Sequence, residues 1–452
     1  MTTPSKVIYD IIKDLQATSS DNDKQAILRR YKDVPYFKEY MKAVYDTVNI
    51  NYYIKAILQT PPGNLAECDN DFVQWLIDNI ASRKITGNQA KSTLKQAVAC
   101  MTEEGQEMAK YIIDRSIGAG VGDTMVLNTW PGLYFIPPYM RCKSMTKKLK
   151  EKYSKLDSFF VQTKRDGSFA YLQRRPKMRA VTRQGSQYPS WLVERLTYMM
   201  ASDVVLMGEF EVDFEGVPMA RADANGVLNS VLKGAPEDDF KGYNFRYVVW
   251  DCVTAEEFEA GTSDTPYEER LDNAGKVVHY MVDAWLIDSP EVTSVAAANK
   301  IHIANTKIGL EGTVWKTKKG GWKNSSSGTD DMVKNKVVFV FEAEVTGYTE
   351  GEGKDAGSLG SVDMASKCRR VKFQCGSGFS AKQRKDFWAI KEQLLGKIFS
   401  VEGNDITTSR TKETFAISLP IFVDERFDKT EADDYERIVA QFESVKEGRE
   451  LV

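Results

Sequence analysis

The sequence predicts a multi-domain chain in which an all-α part precedes an α+β part built on antiparallel sheets, with a small β-barrel at the end. Three observations carry this reading. Apolar residues recur at helical spacing almost throughout residues 1 to 130; Trp130-Pro131-Gly132 and Ile136-Pro137-Pro138 then break the run; and beyond them strand-like and helical segments are interspersed. A chain of 452 residues, 42% of them hydrophobic, is also too long for one ordinary core.

Each element has its own justification. In the first part, Ile8, Ile11, Ile12 and Leu15 mark one helix, Phe72, Trp75, Leu76 and Ile80 a second, and Met108, Tyr111 and Ile112 a third, with no convincing strand pattern. In the middle part, strands are predicted at Phe159 to Thr163, Ser168 to Gln173, Val204 to Phe214 and Phe245 to Cys252. Helices are predicted there at Pro189 to Met200, Tyr267 to Ala284 and Val292 to Asn305. From about Val337 the strands are Val338 to Val345, Arg370 to Gln374, Lys397 to Val401 and Thr414 to Val423, with one helix near Gln383 to Leu394; short strands plus a helix fit a small barrel. The stretches Gly351-Glu352-Gly353 and Lys323 to Gly328 read as mobile loops, and no internal repeat is present.

Composition narrows the function classes. No apolar run is long enough to span a bilayer and Met1 to Lys6 lacks an apolar signal core, so a cytosolic enzyme without a membrane partner is expected. Six scattered cysteines without a C-x-x-C pair argue against a zinc site or a disulfide framework, and point to reduced, mostly buried thiols. With only His279 and His302, a histidine-centred metal site or a Ser-His-Asp triad is not expected. The net charge of -3 conceals an uneven distribution: Arg141, Lys143, Lys147, Lys148, Lys150, Lys152, Lys155, Lys164, Arg165, Arg174, Arg175, Lys177, Arg179 and Arg183 are opposed only by Glu151, Asp157 and Asp166. That strip can follow a phosphate backbone, although Lys143 to Lys155 alone reads equally well as a solvated linker.

Lys164-Arg165-Asp166-Gly167 places one amine between two apolar strands. A lysine partly desolvated and faced by other cations loses part of its proton affinity, and its free amine can attack a nucleotide α-phosphate. Read alone, the tetrapeptide is equally a charged hairpin turn. An ordered series follows it: Thr182-Arg183-Gln184-Gly185, Gly208 to Val212, Tyr247 to Asp251, Glu311 to Lys316, and Val333-Lys334-Asn335-Lys336. In this order the segments resemble motifs I, Ia, III, IIIa, IV and V of the ATP-dependent DNA ligases, within the covalent nucleotidyltransferase superfamily. Lys24 to Leu28, Tyr52 to Lys55, Arg83 to Asn88, Trp130 to Leu133 and Gly376 to Gly378 extend the resemblance to the T-even-type bacteriophage DNA ligases over nearly the whole chain.

The resemblance implies three domains: a helical DNA-binding domain over 1–130, an adenylation (nucleotidyltransferase) domain over 131–336 and an OB-fold over 337–452. It implies ATP as substrate with Mg²⁺, nicked or broken duplex DNA as partner, and a monomeric phage-encoded enzyme in the host cytosol. Lys164 becomes the nucleophile that carries AMP; Asp166 and Gly167 shape its turn, and Arg165 adds positive charge. Tyr247 is expected to stack on adenine, its alternative being a strand-core tyrosine, and Gln162 to read the adenine edge. Glu209 holds the ribose or a metal-bound water, and Glu311 is the better metal ligand. Lys334 and Lys336 share one strand face and can reach the same α-phosphate. Arg183 is assigned to the 5′-phosphate of the nick. Gly118-Ala119-Gly120-Val121-Gly122 fails as a dinucleotide fingerprint because a helix precedes it; Gly118 and Gly120 are expected on the DNA backbone instead. Arg426-Phe427-Asp428-Lys429 resembles motif VI, whose cations orient pyrophosphate, and a charged surface turn looks much the same.

One departure stands out. Phe169 occupies the position, five residues past the nucleophile, where DNA ligases commonly carry an arginine, so Arg174 or Arg175 is expected to supply that contact. An RNA ligase shares the lysine chemistry, but the helical domain and OB-like tail argue against it. A non-catalytic binding scaffold has no use for this set of carboxylates and lysines. A hinge at Lys336 to Val338 is expected to let one site serve both adenylation and sealing.

Overall fold

The computed structural model describes residues 4–54, 60–174, 178–196, 203–219, 221–351, 355–408 and 414–447. Lys55, Arg175, Lys177, the last residues of the 189–200 helical segment, and Glu352-Gly353 therefore lie outside the described residues. The chain divides into two compact units, one of Met1–Pro137, Ala180–Pro189 and Asn229–Asp239, the other of Pro138–Arg179, Ser190–Leu228 and Phe240–Val452.

The first unit is built on helices: Pro4–Gln16, Asp21–Tyr31, Phe37–Tyr45, Ala66–Leu76, Gly87–Ala99, Glu103–Ile113 and Asp123–Thr129, with a π-turn Ile77–Ala81 continuing the fourth. The predicted apolar stripes are its core: Ile8, Ile11, Ile12, Leu15, Phe72, Leu76, Ile80, Met108 and Ile112 are all buried, each contributing about 1.5–3 kcal/mol on burial. Capping sets the boundaries. Ser20 accepts from the Asp23 N–H and Thr102 from the Gly105 N–H. Asp69 in turn accepts from the Thr102 hydroxyl at 2.6 Å, so closely that a Cβ on Gly105 would lie 2.1 Å from its Oδ1. A glycine is the one residue this contact admits.

Among the described residues the second unit holds three larger sheets and two two-stranded ones. The first sheet runs Met140–Ser144, Ser325–Lys336, Gly312–Thr317, Phe159–Thr163, Glu291–Val292. In the second, Ser168–Gln173, Val204–Phe214, Tyr243–Thr254 and Ala284–Leu286 follow one another; strand Arg179–Thr182 carries the chain from this unit into the other. The third runs Lys372–Cys375, Leu359–Ala365, Phe339–Glu350, Ile398–Gly403, Ile421–Glu425 around its own aromatic-rich core. Pairing is mainly antiparallel, but Met140–Ser144 and Ala284–Leu286 each join their neighbour in parallel.

Several expectations are corrected. Lys323 to Gly328 is not a loop: Trp322–Lys323 and Ser325–Lys336 are strands, and Gly328 at φ +77° sits at an irregularity in pairing, where a Cβ would meet the Arg141 carbonyl at 2.8 Å. The helix from Tyr267 ends at Val278, and Ala284 opens a strand; the helix expected from Val292 starts at Val295, behind the Ser294 cap. A helix Arg221–Leu232 and a closing helix Tyr435–Lys446 were not expected. Of the thiols, Cys252 and Cys375 are buried and Cys368 is exposed; the other three are half-buried. Among the described residues no helix is long and apolar enough to cross a membrane.

Candidate active site

Strand alternation divides the first sheet cleanly. Cross-strand partners point to one face, and Val161, Trp315 and Val333 share a face with Phe159 and Tyr153 in a core of their own. The opposite face therefore carries Gln162, Lys316, Lys334 and Lys336, on three adjacent strands. The alternation of Lys334 and Lys336 along one strand is as expected.

Lys164 follows directly on strand Phe159–Thr163, its N–H bonded to the Gly312 carbonyl at 2.9 Å. The hairpin reading of its turn does not hold, because the strands on either side of Lys164 to Gly167 belong to different sheets. The turn crosses between them, and Gly167 makes the crossing possible: a Cβ there would lie 2.3 Å from the Phe210 carbonyl oxygen.

Glu311 joins the lysines. Lys164 Nζ donates to its Oε2 at 2.6 Å, and Lys336 Nζ is paired with its Oε1. Burial alone would raise this carboxyl, but Lys164 first and then Lys336 outweigh it and hold Glu311 below the ordinary value. Lys334 is pushed down by burial first, then by Lys336 and Lys164. Glu209 accepts the Gly167 N–H at 3.0 Å. Desolvation raises its carboxyl to about 7, against the pull of Lys164 and that N–H.

Arg165 is engaged by Glu211, which takes both Nε and Nη2 in a fork. Its charge is thus largely answered, and it adds less positive field at Lys164 than expected.

Tyr247 is corrected. It pairs with Phe210, lies tilted against that ring at 5.0 Å and is fully buried, its hydroxyl donating to the carbonyls of Ala170 at 2.8 Å and Leu206 at 3.2 Å. This is the face of the second sheet turned away from Glu209. Trp250, which sequence reasoning missed, lies where the register slips between Met207–Asp251 and Gly208–Val249. Such a bulge re-aims a side chain. Its half-buried ring meets Phe169, the cross-strand partner of Glu209, at 5.9 Å, and Phe169 meets Tyr139 at 4.7 Å.

The bulge is anchored from behind. The Trp250 carbonyl accepts from Tyr267 Oη at 2.8 Å and from Lys316 Nζ at 3.2 Å. Lys316 lies over the Tyr267 ring at 4.2 Å, and burial pulls its ammonium down to about 8. Gln162 donates both amide hydrogens, to Tyr267 at 2.6 Å and Ser289 at 2.7 Å, which leaves its carbonyl oxygen as the group able to face a ligand.

The remaining predicted residues lie elsewhere. Arg183 is exposed in the first unit, in a turn where Gly185 (φ +88°) packs against Val48. Gly118 and Gly120, also in the first unit, both take left-handed φ ahead of the Asp123–Thr129 helix, and Glu103–Ile113 before them is helical as expected. Arg426 and Lys429 share the carboxylate of Glu342. Among the described residues, no three His, Cys, Asp or Glu side chains group as a metal cage.

Lys164, just past the end of a strand, thus stands beside Glu311 and Glu209, with further lysines on one face of the same sheet. The architecture matches the solved structures Pmar-Lig_PreS3 and Pmar-Lig_Pre., with TM-scores of 0.67 and 0.66, 19% identity, and coverage of 93% of this chain and 99% of theirs. In sequence the chain is similar to the DNA ligases of Enterobacteria phages T6 and T4, 25% identical over 493 residues, covering 97% of this chain and 99% of theirs. The resemblance to the T-even-type ligases thus runs over nearly the whole chain. No family model matches the sequence.

Proposed function

We propose that the protein is an ATP-dependent DNA ligase that seals 3′-OH/5′-phosphate breaks in duplex DNA through a Lys164-AMP intermediate and a DNA-adenylate. The observation that carries this is Glu311 bridging Lys164 and Lys336 beside Lys334 and Glu209, at the crossing between two sheets. A binding scaffold has no need to enclose a lysine among such carboxylates.

In the first step the Lys164 ammonium gives up a proton to solvent, and its lone pair attacks the α-phosphate of ATP. A P–N bond forms, the bond to the β-phosphate oxygen breaks, and pyrophosphate leaves. Lys334 and Lys336 stabilise charge developing on the α-phosphate. AMP then passes to the 5′-phosphate at the break, and the 3′-hydroxyl displaces it. Adenine stacks on Trp250, the aromatic at the bulge, and its amino group donates to the Gln162 carbonyl. Glu311 and Glu209 are the carboxylates to hold Mg²⁺, which takes only one or two protein carboxylates alongside phosphate. When bound, the ion neutralises phosphate charge.

Residues 1–130 act as the DNA-binding domain, with Gly118 and Gly120 on the backbone; 131–336 act as the adenylation domain, and 337–452 as an OB-fold. Arg183 receives the 5′-phosphate, Arg165 is a further DNA contact, and Arg426 and Lys429 orient pyrophosphate. The enzyme works as a monomer in the cytosol of the infected cell. The test incubates the protein with α-labelled ATP and Mg²⁺, then offers nicked DNA and, in parallel, nicked duplexes with one RNA strand. Covalent label that chases into sealed DNA is expected. No label on the protein overturns the reading, and a chase into RNA alone makes it an RNA ligase.

A further inference from the structure

The strand Phe339–Glu350 buries Phe339, Phe341, Ala343 and Val345 in the barrel core. Glu342 belongs to the other face, yet it is 6% exposed. What covers it is a pair of cations: Arg426 Nη1 on Oε1, and Lys429 Nζ on Oε2 at 3.0 Å. The other edge of Arg426 donates to Asp428, from Nε at 2.9 Å and Nη2 at 2.8 Å.

This carboxylate is held rigidly. The Glu342 N–H donates to Asp433 Oδ2 at 3.0 Å, the Asp433 N–H returns to the Glu342 carbonyl at 2.9 Å, and Arg437 fixes the other Asp433 oxygen. The cations are fixed too. The Arg426 N–H is bonded to Ile398 and the Lys429 N–H to Arg426, which closes the turn. An exposed ion pair contributes little to stability, and enclosing a carboxylate costs desolvation, so fold stability alone is a poor reason for this arrangement.

We propose that Glu342 is a positioning residue that spaces Arg426 and Lys429 across its two oxygens so that they meet the departing pyrophosphate already arranged. Two neighbouring cations repel each other; a carboxylate between them sets their separation to that of two oxygens on one centre, the pattern a phosphate also presents. Arg426 has five N–H groups, of which three are engaged by Glu342 and Asp428, and Lys429 has three, of which one is engaged. The two that remain on each are available to an anion.

The inference rests on the ligase reading, and two reactions separate them. Formation of Lys164-AMP from ATP releases pyrophosphate, whereas sealing of DNA that already carries the 5′-adenylate does not. In E342Q the first reaction is expected to lose about tenfold or more in kcat with little change in KM for ATP, while sealing of the pre-adenylated nick stays within about twofold. E342D, which keeps the charge on a shorter stem and serves if E342Q does not fold, is expected to fall between wild type and E342Q in the first reaction alone. An unchanged first reaction in both variants overturns the inference, as does a parallel fall in both reactions. A wild-type protein that takes up no label overturns the ligase reading and the inference with it.

Discussion

Glu311 and Glu342 each bind two cations with their two oxygens, and the resemblance ends there. Glu311 gathers Lys164 from a turn and Lys336 from a strand, whereas Glu342 receives Arg426 and Lys429 from a single turn. Their neighbours diverge as well: enclosure raises Glu209 beside the first cluster to about 7, while the exposed Asp428 beside the second is drawn down to about 2 by Arg426. The carboxyl beside the first cluster thus changes its protonation near neutral pH, whereas the one beside the second stays ionised throughout that range.

The contrast breaks most visibly at the nucleophile. Lys164→Ala is expected to abolish protein-AMP formation, by more than about a thousandfold, while the far-UV spectrum and DNA binding stay close to wild type. Covalent label persisting in that variant would remove Lys164 from the chemistry. Arg426→Ala is expected to have a smaller and one-sided effect, slowing adenylation by about ten- to a hundredfold but leaving a pre-adenylated nick sealed at near the normal rate. Equal losses in both assays would make the second cluster a part of the DNA site instead.

The titrating carboxyl offers a third test. Because Glu209 binds its proton more tightly folded than unfolded, its contribution to stability is fully present below the unfolded value near 4.3 and is lost as pH rises to about 7. Glu209→Gln removes that slope. Urea titrations at pH 5 and pH 8 are expected to show the variant gaining on wild type at the higher pH, by at most about 3 kcal/mol. A pH-independent difference would mean that the side chain is solvated in solution.

The smallest effects separate the two aromatics of strand Tyr243–Thr254. Trp250→Ala is expected to raise the KM for ATP about tenfold by removing a stacking face. Tyr247→Phe should leave KM unchanged and lower stability by about 1 kcal/mol, since the carbonyls of Ala170 and Leu206 lose a donor. The opposite outcome, measured by single-turnover adenylation and thermal melting, would return adenine to Tyr247.

Much of this was readable from residues alone. Phe159–Thr163, Ser168–Gln173 and Val204–Phe214 appear with the bounds predicted, because apolar runs ended by turn residues define a strand locally. The Lys164, Glu311, Lys334 and Lys336 set was equally legible as ordered motifs. What escaped was non-local. Alternation puts Tyr247 and Trp250 on opposite faces, but only pairing with Phe210 and Glu209 tells which face meets the lysines. Glu342 reads as a solvent-side residue between Phe341 and Ala343, and is enclosed only because a turn some eighty residues later folds over it. The helix Arg221–Leu232 contains Asn225, Gly226, Asn229 and Ser230, weak helix formers whose order comes from packing.

The crossing at Lys164 also bears on how such a chain can vary in length. The four residues from Lys164 to Gly167 bridge two sheets without slack, since Gly167 already touches the backbone of Phe210. One residue added after Thr163 would turn Ser168–Gln173 inside out, putting Ser168 in the place of Phe169 beside Glu209 and Ala170 where Tyr171 packs against Phe258. The distance from Phe159 to Gln173 along the chain is therefore a fixed ruler, and insertions or deletions are expected to be tolerated anywhere on the surface sooner than inside it.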